Sequence, residues 1–400
     1  MEIIQQNSPY LRRKASLQGM LLDVLIALLP VVIFALIKYT WHTAVNLAIS
    51  ISLMAAAEYV FVLIKNWGPK DGEKHSLLER VKFASQGYTI NNFLAPTVSA
   101  VIYTMLFPAQ NTNPVGFLYF ALAVGALFGL IFGKLVFGGT GQNIFNPAVV
   151  GFIFVKLCFS SSFSGLWYID SFNAVSGGGT IIPGSSVVAG GTILSTASNF
   201  ETVFSSHYSF LDMFLGNIPG TMGETCKLAI LLGLVYLLVR REIDWRVVVS
   251  YLGTFLLLIM IAGLVPLAKG LSGFDYGAFI LTQVLSGGLL FGATFMLTDP
   301  VTMPITTPSR WLYGMIAAVA TVFIRLLGGY AEGVAFSILI ANMAAPVLDH
   351  YKWSSSRFHL KNVLPLVIVP LCAIGILIWA LVDKLPAASA FVTLFGGAIL

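Results

Sequence analysis

Long apolar runs separated by short polar connections dominate the chain, at 19–39, 44–64, 92–107, 115–137, 145–160, 225–239, 246–268, 280–298, 311–327, 333–348 and 363–383. A helix rising 1.5 Å per residue needs about 20 apolar residues to cross a hydrocarbon core of about 30 Å. The pattern therefore predicts an all-α polytopic membrane protein, with the shorter runs as re-entrant or buried pieces. Composition agrees, since 57% of the 400 residues are hydrophobic and 10% charged, with mean hydropathy +0.88, far from the balance of a soluble domain. Basic residues precede the first run, but no small-residue cleavage site follows it, so it reads as a retained helix.

Charge then orients the runs. The net charge of +5 is concentrated in particular connections, which is a signature of topology and gives no support to a nucleic-acid partner. Arg12, Arg13 and Lys14 precede the first run; Lys65, Lys70, Lys74, Arg80 and Lys82 follow the second; Arg240, Arg241 and Arg246 separate the sixth and seventh. Arg310 follows the eighth, and Lys352, Arg357 and Lys361 follow the tenth. All fall on one side if the N-terminus is cytoplasmic, as positive charge favours. Lys156 and Lys227 bound a stretch without Lys or Arg, rich in Gly, Ser and Thr, which this orientation places outside the membrane. Its glycines permit positive φ and close backbone approach to a ligand, or simply a tightly turned loop.

Landmarks recur in the two halves. LVFGGTGQNIFNPAVVG at 135–151 is echoed by RLLGGYAEGVAFSILIANMAAPVLD at 325–349, and NNFLAP at 91–96 by FMLTDP at 295–300. Five runs per half is odd, so the two copies run with opposite topology, an arrangement that builds ligand sites near a pseudo-twofold axis. The expected organisation is a first five-helix repeat at 1–160, an extracytoplasmic loop at 161–223, a second five-helix repeat at 224–352, and an extension at 353–400 with an additional C-terminal transmembrane helix.

Charged residues in or beside the runs are Asp23, Glu58, Lys134, Lys156, Asp299, Arg325, Glu332 and Asp349. A charge at the bilayer centre is costly and marks an interior pair or a transport path. Lys134, Arg325 and Asp349 lie near run ends, where snorkelling accounts for them. Glu58 lies deeper and is the better candidate for an ion route, with Asp349 as the second candidate. Cys158, Cys226 and Cys372 have no metal-ligand spacing, and Cys158 and Cys226, both at outer helix ends, either pair or simply pack. The histidines His42, His75, His207, His350 and His359 show no spacing for a metal or haem, and no P-loop or dinucleotide fingerprint occurs.

SPYLRRKASLQGMLLDVLIALLP at 8–30, FGGTGQNIFNPAVVG at 137–151, FLGNIPGTMGET at 214–225 and LLFGATFMLTDPVTMPIT at 289–306, in this order, resemble the D subunit of the Rnf ion-pumping electron-transport complex and the homologous B subunit of the sodium-pumping NADH:quinone reductase. The resemblance runs to about residue 350. It implies ten helices in two repeats that carry flavins. One is FMN, esterified by a separate flavin transferase to a threonine in an outer motif like Asp-x-x-Ser/Thr-Gly-Ala-Thr-x-Leu. The second is a non-covalent riboflavin near GQNIFNPA, whose ring Asn143 and Asn146 would hydrogen-bond. Ser186 to Leu194 aligns with the FMN motif with Thr192 at the ester position, and Ser186, Ala189 and Gly191 depart from it. Asn173 to Thr180 is the rival, which makes Thr180 the alternative.

The resemblance thus implies a flavin-carrying cell-membrane subunit of an ion-translocating oxidoreductase, relaying electrons with partner membrane subunits and needing no side-chain acid or base or bound metal. The Rnf type, linking ferredoxin and NAD, is favoured because the first run starts within about 20 residues of the N-terminus, without the longer extension of the quinone-reductase subunit. A flavin-free channel or transporter on the same scaffold is the alternative. The extension lies outside the resemblance and suits a neighbouring subunit or membrane lipid.

Overall fold

The computed structural model describes residues 17–67, 76–108, 115–159, 210–216, 220–269, 274–328, 333–351, 353 and 359–384. Thr180 and Thr192 lie outside the described residues, as do Glu332 and most of the 161–223 loop. The protein is an all-α polytopic membrane protein. In chain order the helices are α1 (Leu17–Tyr39), α2 (Trp41–Lys65), α3 (Leu77–Ser85), α4 (Ile90–Met105), α5 (Val115–Gly133), α6 (Pro147–Cys158) and α7 (Phe210–Leu215). They continue with α8 (Lys227–Arg240), α9 (Trp245–Ala268), α10 (Tyr276–Leu285), α11 (Leu289–Met296), α12 (Thr307–Leu326), α13 (Val334–His350) and α14 (Leu360–Lys384).

Among the described residues six helices are long and apolar enough to cross a membrane, and α10 with α11 makes a seventh, bent by 47° at Ser286–Gly288. The other apolar helices are short. The 12 residues of α6 rise only about 18 Å, well under a hydrocarbon core. Irregular backbone therefore reaches membrane depth, and its polar groups must be met inside the protein. They are. Met222 and Gly223 donate their N–H groups to Phe107 O and Met105 O at 3.0 and 2.8 Å. At the α10–α11 break, Lys227 donates to Gly287 O at 3.2 Å and Arg325 to Gln283 O at 2.7 Å. Buried cations thus serve carbonyls that a helix end leaves without partners.

α2 lies against α4 and α5, and α5 against α6; in the second half of the chain α9 lies against α10 and α12, and α12 against α13. The halves meet where α1 packs on α8 and α6 on α13. Of the Gly-Gly landmarks, Gly138 follows the 3-10 turn after α5 and Gly328 lies just past α12. The other pair of landmarks differs in place. NNFLAP opens α4, whereas FMLTDP closes α11 and its following turn, so the two sit at opposite ends of their elements. Asn and Pro start the one helix, while Asp and Pro end the other.

One contact fixes the site's position. Gly125, Gly129 and Gly133, four residues apart on α5, face Pro147 and Gly151 of α6, and a Cβ at Gly129 would lie 2.5 Å from Pro147 O and 2.8 Å from Gly151 Cα. Small residues at this spacing let two backbones touch, the chief source of helix association in lipid. The start of α6 is thereby held against α5.

The additional C-terminal helix is present as α14, packed on α9 and α12. It is joined to them by reciprocal caps. Lys269, just past α9, donates to Val382 O at 2.7 Å, and Lys384 donates to Leu326 O of α12 at 2.8 Å. Each cation meets a helix C-terminus, where carbonyls and dipole both favour it. Lys384→Met is expected to cost about 1–3 kcal/mol locally by orphaning a carbonyl. Hydrogen exchange would then quicken across 360–384 and leave α1–α6 unchanged; equal exchange throughout would count against the latch.

Candidate functional site

A partly open cavity of about 140 Å³ lies between the first turns of α1, α4, the segment 140–147, the end of α8 and the segment 294–301. Its walls are mainly apolar, from Val24, Val98, Ile102 and Phe295, with polar groups converging from Lys134, Thr140, Asn143, Asn146 and Asp299. Apolar walls with a few placed polar groups are the usual form of a small-molecule site. The two asparagines singled out from the sequence are both here and both buried.

Local sequence explains how they are held. After α5 the chain makes a single 3-10 turn at Leu135–Phe137, then runs through Gly138 and Gly139 at φ +117° and +102°, and Gly141 at +90°. Only glycine takes such angles without strain, so the chain folds back into the protein instead of emerging from it. Asn143 donates to Phe145 O at 3.1 Å. Asn146 caps α6, its Oδ1 accepting from Ala148 N at 3.1 Å, with Pro147 in the first turn where no N–H is needed. The Nδ2 of Asn146 donates to Met296 O at 3.3 Å, a carbonyl at the end of the π turn Gly292–Met296. Asn146 thus ties the irregular segment of one half to that of the other. Each amide still has hydrogen-bonding capacity beyond these bonds.

The charges are arranged unlike the sequence expectation. Lys134 does not snorkel: it is 3% exposed, and its Nζ lies 3.0 Å from Oε2 of Glu58, itself 2% exposed. Arg325 does not snorkel either, at 1% exposed and bonded to α10. Asp349 is half-buried, and its two oxygens accept from Ile305 N at 2.9 and 3.2 Å, which anchors the segment after α11. Asp299 follows α11 at the cavity wall and accepts from Val301 N at 3.2 Å. Loss of solvation raises its carboxyl to about 6, against the lowering effects of Val301 N–H, the Thr302 hydroxyl and the Lys134 charge.

Glu58 ends a face of α2 on which His42, Asn46 and Ser50 recur every four residues, all buried, with the fully buried Met54 between Ser50 and Glu58. Sequence reading singled out Glu58 and passed over this face, although its four-residue period is visible in the chain. Lys134 and Thr140 were likewise missed as cavity residues. The signal for both was their place around the Gly-Gly that turns the chain inward. Asp23, by contrast, is engaged structurally, accepting from Tyr236 at 2.8 Å and from Arg240 at 3.0 and 2.8 Å. Cys158, Cys226 and Cys372 are free, with Cys226 buried, so simple packing holds for Cys226 and no pairing with Cys158. Among the described residues no cluster of His, Cys, Asp or Glu is arranged to hold a metal.

Comparison with known proteins matches residues 4–356 to the family described as NQR2, RnfD, RnfE. The chain is similar to the B subunit of the Na(+)-translocating NADH-quinone reductase of Chromohalobacter salexigens, 37% identical over 256 residues, which is 64% of this chain and 57% of that one. It is similar to the same-named subunit of Stutzerimonas stutzeri, 33% identical over 259 residues, 64% of this chain and 58% of that one. For the subunit of Pseudomonas aeruginosa the figures are 34% over 236 residues, 58% and 54%. The alignments thus span a little over half the length of these relatives. α14 lies beyond the family match.

Proposed function

Because the chain belongs to the NQR2, RnfD, RnfE family, we propose that it is a flavin-carrying membrane subunit of an ion-translocating electron-transport complex, relaying electrons between partner subunits. The observation that carries this reading is the cavity itself, in which Asn143 and Asn146 converge with Lys134 and Thr140 on one space between apolar walls. The residues fit the polar edge of a flavin ring. Asparagine amides supply both donors and acceptors, the buried Oγ1 of Thr140 has no hydrogen-bond partner among the described residues, and Lys134, paired with Glu58, brings a positive charge to the cavity wall. The cavity of about 140 Å³ is partly open and would admit one edge of such a ring. A flavin supplies electron transfer one or two at a time, and the protein positions it and sets its polarity. Asn143 and Asn146 would orient the ring, Val24, Ile102 and Phe295 would exclude water, and Lys134 would provide positive charge. The second flavin of this reading is FMN esterified to Thr192, or to Thr180, by a flavin transferase.

The ion route of this reading includes Glu58, buried in mid-protein, and Asp349 at the half-buried end of α13. The expected orientation has the N-terminus and the cavity on the cytoplasmic side and residues 161–223 outside, with repeats at 1–160 and 224–352. The Rnf type, exchanging electrons between ferredoxin and NAD, is the finer reading. The names of the relatives favour the quinone-reductase type as the second. Reduction of the purified complex by ferredoxin but not by NADH would select the first, and the reverse the second.

The direct test is in-gel flavin fluorescence of the denatured chain, made in cells that contain the transferase. Thr192→Ala is expected to abolish the signal and Thr180→Ala to retain it; a signal that survives both substitutions would sink the ester at either threonine. Riboflavin released by acid from the native chain tests the cavity separately, and should be lost in Asn146→Leu but kept in Thr192→Ala.

A further inference from the structure

Lys134 is the only cation among the described residues lining the cavity, where the carboxylates are Glu242 and Asp299. Its ammonium also lies 3.0 Å from Glu58, so one positive charge borders two places at once. Both partners of this ion pair are buried, and the same lysine reaches the cavity wall. Lys134 stands outside the helix, at φ −137° between α5 and the 3-10 turn, on a four-carbon stem with three rotatable donors. The stem can therefore turn the ammonium from one side to the other when a competing negative charge offsets the loss of the pair.

We propose that Lys134 is a charge switch that links electron arrival in the cavity to cation uptake at Glu58. The inference rests on the reading of the cavity as a flavin site. One electron, delivered by a one-electron donor of a partner subunit, adds one negative charge to the cavity, and the ammonium of Lys134 is drawn towards it with all three protons retained. Glu58 then stands as a buried carboxylate without a counter-charge, which a low-dielectric interior does not tolerate. One monovalent cation, a sodium ion or a proton, enters from solution and restores neutrality. When the electron leaves, Lys134 returns to Glu58 and displaces the cation, so one charge moves per electron. The other charged groups at the cavity wall are Glu242, which follows α8, and Asp299, which sits on the far chain segment and accepts from Val301 N. Lys134 acts through Glu58 as a positioning residue.

The test is redox-induced infrared difference spectroscopy of the full chain with its bound flavin. In the wild type, reduction should produce carboxyl bands that vanish in Glu58→Gln. A protonated-acid band identifies the proton; a shifted carboxylate pair that requires sodium identifies the metal ion. In Lys134→Met the Glu58 bands should no longer respond to reduction, and Lys134→Arg should restore the response. Lys134→Gln serves in place of Lys134→Met if the latter does not fold. Bands of Glu58 that respond equally with and without the lysine, or their absence in a flavin-loaded wild type, would overturn the switch. If the wild-type chain binds no flavin, the reading of the cavity fails, and sodium-induced spectra of the flavin-free chain then decide the pair. Glu58 bands that respond to sodium in Lys134→Gln but not in the wild type support competition by Lys134; identical spectra refute it.

Discussion

Gly129→Ala is expected to destabilise the protein by about 1–3 kcal/mol, and Gly129→Val to leave no folded protein that survives extraction in detergent. The added Cβ meets backbone, with Pro147 O at 2.5 Å and the Cα and N of Gly151 at 2.8 and 2.9 Å, so no side chain can rotate out of its way. α5 and α6 would separate, and Asn146, one residue before Pro147, would leave Met296 with them. Gly253 on α9 is the control, since a Cβ there meets nothing within 4 Å. Gly253→Ala should be neutral or stabilise by up to about 1 kcal/mol through helix propensity. Thermal unfolding followed by tryptophan fluorescence compares the two. Equal effects at both glycines would show that the α5–α6 contact is not what holds the cavity.

The second large effect concerns the buried pair. Glu58→Gln removes the counter-charge of Lys134 while leaving its ammonium buried, and breaking such a pair from one side costs about 3–5 kcal/mol. Removing both partners in Glu58→Gln/Lys134→Met should recover most of that loss, because the desolvation cost of two ions disappears with their attraction. The expected outcome is a double variant more stable than Glu58→Gln alone, measured by denaturation at fixed detergent concentration. Strictly additive losses would mean that the two side chains do not interact. On the proposed ion route, transport would stay absent in the double variant, which separates stability from function.

Much of the fold was legible in the chain because lipid imposes a strong rule. A run of 20 apolar residues has few alternatives to a helix, and α1, α2, α9 and α14 follow their runs closely. The asparagines at 143 and 146 were legible through the motif around them. Lys134 and Arg325 were not. Each lies at the end of an apolar run, where a sequence reading places the membrane surface. The chain after α5 turns back into the protein at Gly138 and Gly139, so the end of the run is not the end of the buried path. For Arg325 the reason is the break in α10–α11, whose carbonyls draw the guanidinium inward. The NNFLAP pairing misled for a related reason, since Asn, Asp and Pro mark both the starts and the ends of helices and carry no direction of their own.

The seam between the halves has a mechanical consequence. At one end of it Asp23 of α1 holds Arg240 and Tyr236 of α8, while Lys38 of α1 donates to Gly216 O at 2.6 Å and Tyr39 to Gly220 O at 3.2 Å at the other. Beside the first of these ends, in the cavity it lines with Val24 and Leu237, Asn146 bridges to Met296. A rocking of α1 against α8 would have to break ties at both ends in a single stroke. With the seam pinned at both ends, the proposed ion route would be gated by single side chains within a rigid frame, and turnover should leave the spacing between α1 and α8 unchanged.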